Sequence, residues 1–382
     1  MNEAKARKIM ETLLAPMDIR IDGERPWDIR VKAPDFYQRV LSGGSLALGE
    51  SYMEGIWDCD ALDRFFEIIL ANRMDKRIKA MGGKVIWDLV TARMTNLQSR
   101  ARAFIIGRRH YDTGNKLFSI MLDKGMNYSC GFWQGAQTLD EAQEAKLELI
   151  CRKLDLKPGL RVLDIGCGWG GFAGYAARNH GVRVTGVTVS KEQMAYAREA
   201  CRGLEVQIEM KDYRDLDQPF DRVVSVGMFE HVGWKNYRTF MRVVHRCLTP
   251  EGLFLLHTIG GNRSVKATDP WIRKYIFPNS MLPSARQISQ AAEGLFVLED
   301  WHSFGLYYDR TLMAWYDNFR KGWEAVRDQY DPQFYRMWCY YLLSCAAAFR
   351  TRRNQLWQIV FSKGGIMCSR PGNGFAFSRY LT

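Results

Sequence analysis

The run Val162-Leu163-Asp164-Ile165-Gly166-Cys167-Gly168-Trp169-Gly170-Gly171 constrains this chain more than any other stretch. An apolar strand stops at a carboxylate, opens into four glycines, and passes into the helical pattern "GFAGYAARNHG". Strand, glycine turn and helix in that order open a βαβ unit. The alternation then repeats. "VRVTGVTV" reads as a strand, Ser190 and Gln193 start a helix, and "VQIEMKD" reads as a third strand. "FDRVVSVGMFEHV" is a fourth strand running into a loop, "NYRTFMRVVHRCLTPEG" a helix and turn, and "LFLLHTIG" a fifth strand. Strands alternating with helices predict an α/β fold with a doubly wound, mostly parallel sheet. "FVLEDWHSF" and "LWQIVFSKG" are expected as later strands. Upstream, Thr138 and Glu141 form a T-x-x-E capping box. The helix it opens carries Leu147, Ile150 and Leu154 on one face, and Lys157-Pro158-Gly159 stops it.

Residues 1–125 read as a smaller, mainly helical domain, and 126–382 as the domain built on the sheet. Ile9, Met10, Leu13, Leu14 and Met17 recur at helical spacing beside Lys5, Arg7 and Lys8. Such a stripe fits either a membrane surface or the body of its own domain. "SGGS" (42–45) is expected to be a loop, and "LDRFFEIIL" (62–70) and the basic "RIKAMGGK" follow it.

A formal charge of +12 suggests an anionic partner, either nucleic acid or an anionic membrane face; the other reading is a basic soluble enzyme. The nine cysteines are scattered, with no C-x-x-C pair. That argues for a reducing compartment and against a disulfide framework or a zinc cage. The charged N-terminus lacks a secretory pattern, and no stretch approaches the ~20 apolar residues of a membrane span. The expectation is a soluble protein, or one lying on a membrane.

Gly166, Gly168 and Gly171 fit G-x-G-x-x-G, and ligands sit at the carboxyl ends of such strands. A dinucleotide reading demands an acid about 20 residues on. There the sequence offers Gly186, Val187 and Thr188, and the first acid, Glu192, is already inside a helix. Asp164 stands two residues before the first glycine, where it repels a pyrophosphate and attracts an ammonium. Asp212, just past the third strand, is placed to accept from an adenine amine. Both favour S-adenosylmethionine over NAD. Two plainer roles stay open: Asp164 as a cap for loop amides, and Gln193 as the partner of Ser190 in a capping box.

A second group of reactive residues gathers at the predicted strand ends. "NYSCGFW" holds Tyr128, Ser129 and Cys130; "GMFEHVG" holds Glu230 and His231; "HTIG" holds His257 and Ile259; "FGLYYD" holds Tyr307 and Tyr308. Taken singly, each residue has an ordinary structural explanation. Four loops converging on the mouth of one sheet suggest a reaction site.

These motifs carry a resemblance. "GESYMEGIWDCD", "GRRHYDTGNKLFSIMLDKGMNYSCGFW", "VLDIGCGWGG", "VTVSKEQ", "KDYRDL", "VSVGMFEHVG", "LLHTIG", "DPWIRKYIFPN", "LEDWHSFGLYYDRTLMAW" and "FRTRRNQLWQIVFSKG" resemble the bacterial cyclopropane-fatty-acyl-phospholipid synthases over almost the whole chain. The chain is also similar to the mycolic acid cyclopropane synthases, which largely lack the N-terminal region. The resemblance implies a Rossmann-like, S-adenosylmethionine-dependent methyltransferase acting on unsaturated acyl chains of a phospholipid bilayer. It implies a cofactor site of Tyr128, Ser129, Asp164, Gly166, Gly168, Gly170, Gly171, Thr188, Ser190, Gln193, Asp212, Tyr213 and Arg214. Thr188 and Gln193 would do the ribose-side work that an acid does elsewhere. Cys130, Glu230, His257, Ile259 (through its backbone) and Tyr308 would surround a bicarbonate ion. Cys345 matches a cysteine suspected of catalysis, yet its apolar helical setting reads as packing. A homodimer built through the N-terminal domain and a cytoplasmic protein peripheral to the inner face of the membrane are also implied.

The chemistry sets its own demands. An alkene that attacks a sulfonium methyl leaves a carbocation, so water must be excluded. A base must stand beside the new methyl, and aromatic walls help a cation. Phe229, Tyr275, Phe277, Phe304 and Tyr308 lie in the motif loops. Glu230 is either the base itself or, with His257, the holder of bicarbonate. Methylation without ring closure, of an acyl chain or a small amine, stays open. No nucleic-acid recognition motif is found, so no nucleic-acid partner is expected.

Overall fold

The computed structural model describes residues 3–72 and 114–366, which fall into two compact units. The first takes residues 3–72, 266–278 and 312–354. Helix α1 (Glu3–Leu14) buries Ala6, Met10 and Leu14. A spacing of four puts them on one face, and that face packs on helix α2 (Phe36–Met53). Met10 and Leu14 of the stripe are therefore spent on the unit itself, while Ile9 and Leu13 stay half-buried. The expected loop at "SGGS" lies instead inside α2, where Gly44 (φ 59°, ψ −139°) kinks the helix. Glycine alone enters that region without strain, so the sequence signals the break but not the helix on both sides of it. Strands β1 (Arg30–Val31) and β2 (Trp57–Asp58) pair antiparallel. Two residues each are too few for a period-two pattern to register. Helix α3 (Leu62–Ala71) follows, and "RIKAMGGK" lies outside the described residues.

Trp57 is fully buried at the centre of this unit, with the rings of Phe36, Tyr52 and Phe65 5.2–6.0 Å away. From the helix Pro332–Arg350, Arg336 donates to the Tyr52 and Trp57 carbonyls and pairs with Asp58 at 2.6 Å, while Arg350 pairs with Asp63 and Glu67. Trp271, on the short helix Pro270–Tyr275, lies on Gly49: a Cβ there would stand 2.3 Å from the indole Cδ1. Gly49→Ala should therefore cost about 1–3 kcal/mol through overpacking. A thermal melt of the full chain at the wild-type midpoint would contradict this packing.

The second unit takes residues 114–265, 279–311 and 355–366. In chain order its elements are α4 (Asn115–Met121), α5 (Leu139–Lys153), β3 (Arg161–Ile165), α6 (Gly171–His180), β4 (Arg183–Thr188), α7 (Lys191–Ala200), β5 (Val206–Met210), β6 (Phe220–Val226), α8 (Tyr237–Cys247), β7 (Leu248–Gly261), α9 (Ala285–Ala292), β8 (Val297–Ser303), a helix beginning at Leu306, and β9 (Asn354–Ser362). The division is not a single cut near 125. Residues 114–125 go with the sheet, and 266–278 and 312–354 go with the N-terminal helices.

The sheet runs β5-β4-β3-β6-β7-β9-β8. The pairs from β5 through β7 are parallel, and β8 lies antiparallel to β9. The fold class read from the sequence therefore holds. Alternation explains how the apolar strands serve two cores. Leu163, Ile165, Val223, Phe254 and Leu256 face one. Val162, Val224, Leu253 and Leu255 face the other, where Leu147 and Ile150 of α5 and Leu154 just past its end meet them. Thr138 and Glu141 form the expected capping box at the start of α5. After β3 the chain crosses to β4 on one side and later returns to β6 on the other. That switch point opens the crevice in which such sheets bind ligands.

Candidate active site

The glycine loop leaves β3 at this switch point. Gly166, Gly168 and Gly170 hold positive φ (83°, 55° and 86°), conformations in which a side chain brings strain. A Cβ on Gly168 would meet no protein atom within 4 Å, so the loop backbone faces open space. The pocket there is lined by Tyr128, Ser129, Asp164, Gly166, Gly168, Gly171, Thr188, Gln193, Asp212, Tyr213 and Arg214, all expected from the sequence. Gly170 and Ser190 stand behind it. Gly170 packs on Ala197 and Cys201, and the Ser190 hydroxyl oxygen caps α7 by accepting from the Gln193 N–H at 3.3 Å.

The plainer readings of Asp164 and Gln193 do not fit this geometry. The N–H groups of Gly166 and Cys167 donate to the Val187 carbonyl at 2.9 and 3.1 Å, so Asp164 is not needed to cap them. The Gln193 side chain does not reach back to close a capping box: the Thr188 hydroxyl donates to its Oε1 at 3.0 Å. The Ser190 N–H donates to Thr188 Oγ1 at 3.2 Å, which fixes that hydroxyl.

Two carboxylate oxygens in this wall are buried without a hydrogen-bond partner, Asp164 Oδ2 and Asp212 Oδ2. The other Asp212 oxygen accepts from the Arg214 N–H and Nε, both at 2.9 Å. Burial pushes the Asp164 carboxyl up to about 7, against the pull of the Lys146 charge. Buried polar atoms of native proteins nearly always have partners, so two orphan acceptors in one crevice ask for a ligand with donors. An ammonium at Asp164 and an adenine amine at Asp212 satisfy them. The residues thus fit S-adenosylmethionine.

The second group lies at the ends of β6 and β7. Glu230 sits in the short 3₁₀ turn after β6, and its Oε1 accepts from the Ile259 N–H of β7 at 2.6 Å. His257 and Ile259, two apart on that strand, share a face. Glu230 Oε2 and His257 Nε2 are both buried and unpartnered. Burial pushes Glu230 up to about 7, opposed by the Ile259 N–H. His257 is held well below its ordinary value by burial and by the charges of Lys146 and Lys153, which keeps it neutral. The ring of Phe304 stands 6.0 Å from that of His257 and packs on Phe132 and Tyr307. Cys130 is fully buried, and burial pushes its thiol far up. Thr311 links it to the helix that begins at Leu306: the hydroxyl lies 3.9 Å from Cys130 Sγ and donates to the Tyr307 carbonyl. Tyr308, buried, sits in the first turn of that helix and not in a loop.

Neither Phe229 nor Cys345 lines the pocket. Phe229 is fully buried and stacks on Tyr237 at 4.3 Å, so it is core and not a wall of the site. Cys345 belongs to the first unit, on the helix Pro332–Arg350, and does not line the pocket. Burial of the sulfur pushes the thiol up to about 12, although the residue as a whole is half-buried.

Three further residues stand in the site. Lys146 of α5 is 1 % exposed and lines the pocket, with Nζ 3.1 Å from both Asn127 Oδ1 and Ser129 Oγ. Asn127 is held in turn by Asp123, to which its Nδ2 donates at 2.7 Å. Gln358 of β9 is fully buried, with its amide nitrogen 3.3 Å from His257 Nδ1. With the amide donating there, the imidazole carries its own proton on Nε2. The signal for Lys146 was present: it lies next to Leu147, on the buried side of an amphipathic helix. Gln358 carried none, because a polar residue in an alternating strand is assigned to solvent by default.

The family model for mycolic acid cyclopropane synthetase matches residues 98–359. The cyclopropane-fatty-acyl-phospholipid synthase of Escherichia coli strain K12 is 56 % identical over 357 residues, 94 % of this chain and 93 % of that protein. Among solved structures, the cyclopropane synthase MmaA2 from Mycobacterium tuberculosis superposes with a TM-score of 0.65 at 31 % identity, covering 70 % of this chain and 100 % of that one. The mycolic acid cyclopropane synthase CmaA1 complexed with SAH and CTAB gives 0.63 at 32 % identity, over 68 % of this chain and 98 % of that one. With the sheet, the glycine loop and the two orphan carboxylate oxygens in place, these likenesses leave one conclusion: the chain belongs to the mycolic acid cyclopropane synthetase family.

Proposed function

We propose that this chain adds a methylene from S-adenosylmethionine across the cis double bond of unsaturated acyl chains in membrane phospholipids, forming cyclopropane fatty acids. The observation that carries the reading is the glycine-loop pocket with one unpartnered oxygen on each of two carboxylates, in a chain 56 % identical to a synthase of that name. When bound, S-adenosylmethionine supplies an electrophilic methyl group. Asp164 holds its ammonium, Asp212 its adenine amine, and Thr188 with Gln193 the ribose hydroxyls. The backbone at Gly168 lets the cofactor lie close to the loop.

The π electrons of the acyl chain would bond to the methyl carbon as its bond to sulfur breaks, releasing S-adenosylhomocysteine and leaving a cation on the chain; the ring would close as the new methyl gives a proton to the base and its C–H electrons bond to the cationic carbon. Glu230 is the base of this chain, acting directly or by gripping a small anion. Bicarbonate fits the second role: Glu230, His257, Cys130, the Ile259 backbone and Tyr308 would hold it, and it would supply the accepting oxygen. Phe304 and Tyr308 furnish aromatic surface for the cation, at about 0.5–2 kcal/mol per ring. Cys345 serves packing and takes no part in the chemistry.

Among the described residues no helix is long and apolar enough to cross a membrane. The +12 charge supports docking on anionic lipid instead. We assign that docking, and homodimer formation, to the N-terminal domain, and place the protein in the cytoplasm at the inner membrane face. Vesicle association is then expected to weaken as salt rises, because exposed charges are screened over ~8–10 Å at physiological strength. Binding indifferent to salt contradicts the electrostatic part of this reading. The test of function is incubation with S-adenosylmethionine and vesicles of a cis-unsaturated phospholipid, followed by mass spectrometry. A gain of one CH₂ with loss of the double bond supports cyclopropanation. A methyl branch, or methylation of an amine with the acyl chain unchanged, overturns it.

A further inference from the structure

We propose that Lys146 is the specificity residue for the carboxylate at the amino-acid end of the cofactor, a role that rests on the pocket being an S-adenosylmethionine site. That end is a zwitterion. Asp164 answers its ammonium, and a second group of opposite charge must answer its carboxylate. Three cations line the pocket: Lys146, Lys211 and Arg214. Lys211 and Arg214 flank Asp212 at the end of β5, the adenine end, and Arg214 is paired with Asp212 at 2.9 Å. Lys146 stands at the other end, beside Ser129, and its charge acts on Asp164.

The geometry aims Lys146 into the pocket. An ammonium has three N–H donors. Two are directed at Asn127 Oδ1 and Ser129 Oγ, each at 3.1 Å. The third remains for a ligand. Asp123 fixes Asn127 through Nδ2 at 2.7 Å, so the Asn127 oxygen is presented to the lysine and Nζ is pinned. The Ser129 hydroxyl accepts from Lys146, which leaves its own proton to donate. Lys146 and Ser129 together form a two-pronged donor with a full positive charge behind it. Burial is the reason the charge counts: it lowers the ammonium to about 8, so a bound carboxylate restores to it part of what water no longer provides.

A purely structural role is the alternative, with Lys146 only tying residues 127–129 to α5. Three nucleosides separate the two in equilibrium binding to the full chain. S-adenosylmethionine carries both charges of the amino-acid end, its decarboxylated analogue carries the ammonium alone, and 5′-methylthioadenosine carries neither. The wild type should prefer S-adenosylmethionine over the decarboxylated analogue by about 10–100-fold, the worth of a charge-assisted bond. Lys146→Met should erase that preference while 5′-methylthioadenosine still binds within about twofold. Ser129→Ala, which keeps the lysine, should lower the preference severalfold and decides the matter where Lys146→Met does not fold. A wild type without preference overturns the assignment, as does a Lys146→Met protein that weakens all three ligands equally. A Ser129→Ala protein with undiminished preference, where it alone folds, does so too. A wild type that binds none of the three overturns the cofactor reading itself, and this assignment with it.

Discussion

Glu230→Gln should keep S-adenosylmethionine affinity and lose turnover by about 10²–10⁴-fold, the usual worth of a positioned base. The amide preserves the carboxylate's shape and can still accept from the Ile259 N–H, now at 2.6 Å, so the ends of β6 and β7 stay joined. What it loses is basicity at the unpartnered oxygen. Burial holds the Glu230 carboxyl up at about 7, so wild-type turnover should rise with pH through that region and then level off. The variant's residual activity should lack this limb. Turnover by Glu230→Gln at the wild-type rate would falsify the assignment. Bicarbonate divides the remaining possibilities. If stripping it slows the wild type and adding it back restores the rate, Glu230 acts by gripping the anion. If the wild type ignores bicarbonate while the variant is dead, Glu230 takes the proton itself.

The same carboxyl carries a signature in stability. Its folded value lies above that of an exposed glutamate, so between about 4.5 and about 7 the folded chain binds more protons than the unfolded chain. Stability that depends on this group is then fully present below about 4.5 and declines as pH rises through 7. Above that range the fold keeps a buried charge it would be more stable without. Glu230→Gln should therefore melt higher than the wild type at pH 8 and show little difference near pH 4. A dead variant that is also more stable at pH 8 is what a functional residue held at a cost to the fold produces. A structural residue would give the opposite sign.

The sheet was legible because its signals are local and repeated. Strands β3, β6 and β7 carry apolar runs bounded by turn residues, and α5, α7 and α9 open on side-chain caps at Thr138, Ser190 and Ser284. The N-terminal region was less legible for a physical reason. A kinked helix such as α2 presents its glycines as a loop, and two-residue strands have no period to detect. In the site, residues next to glycine turns or at strand ends were found from pattern and resemblance. Lys146 and Gln358 were not: helical spacing puts Lys146 four residues before Ile150 on one face, but a sequence does not show that a polar side chain on such a face stays buried. Their burial is set by partners distant in the chain: Ser129 lies 17 residues from Lys146, and His257 lies 101 residues from Gln358. Phe229 shows the converse error, a residue in a motif loop that turns into the core and stacks on Tyr237.

Gly168→Val is expected to abolish cofactor binding, by at least about 10²-fold, in a protein that still folds. Two effects act at this position and need separating. The backbone stands at φ 55°, where a β-branched side chain is strained whatever the space around it. That strain costs on the order of 1–3 kcal/mol and lowers the melting point by several degrees without unfolding a sheet of this size. The second effect is occupancy. Nothing in the protein lies within 4 Å of a Cβ at Gly168, so the added methyls enter the space in which the cofactor approaches the loop. Gly168→Asn separates the two, because asparagine tolerates the left-handed region yet still projects a side chain there. If occupancy governs, the asparagine variant loses binding almost as completely as valine while melting closer to the wild type. If it binds S-adenosylmethionine with near-normal affinity by calorimetry, strain alone explains the valine result. The cofactor then does not pass over Gly168, and the glycine loop is only a turn between β3 and α6.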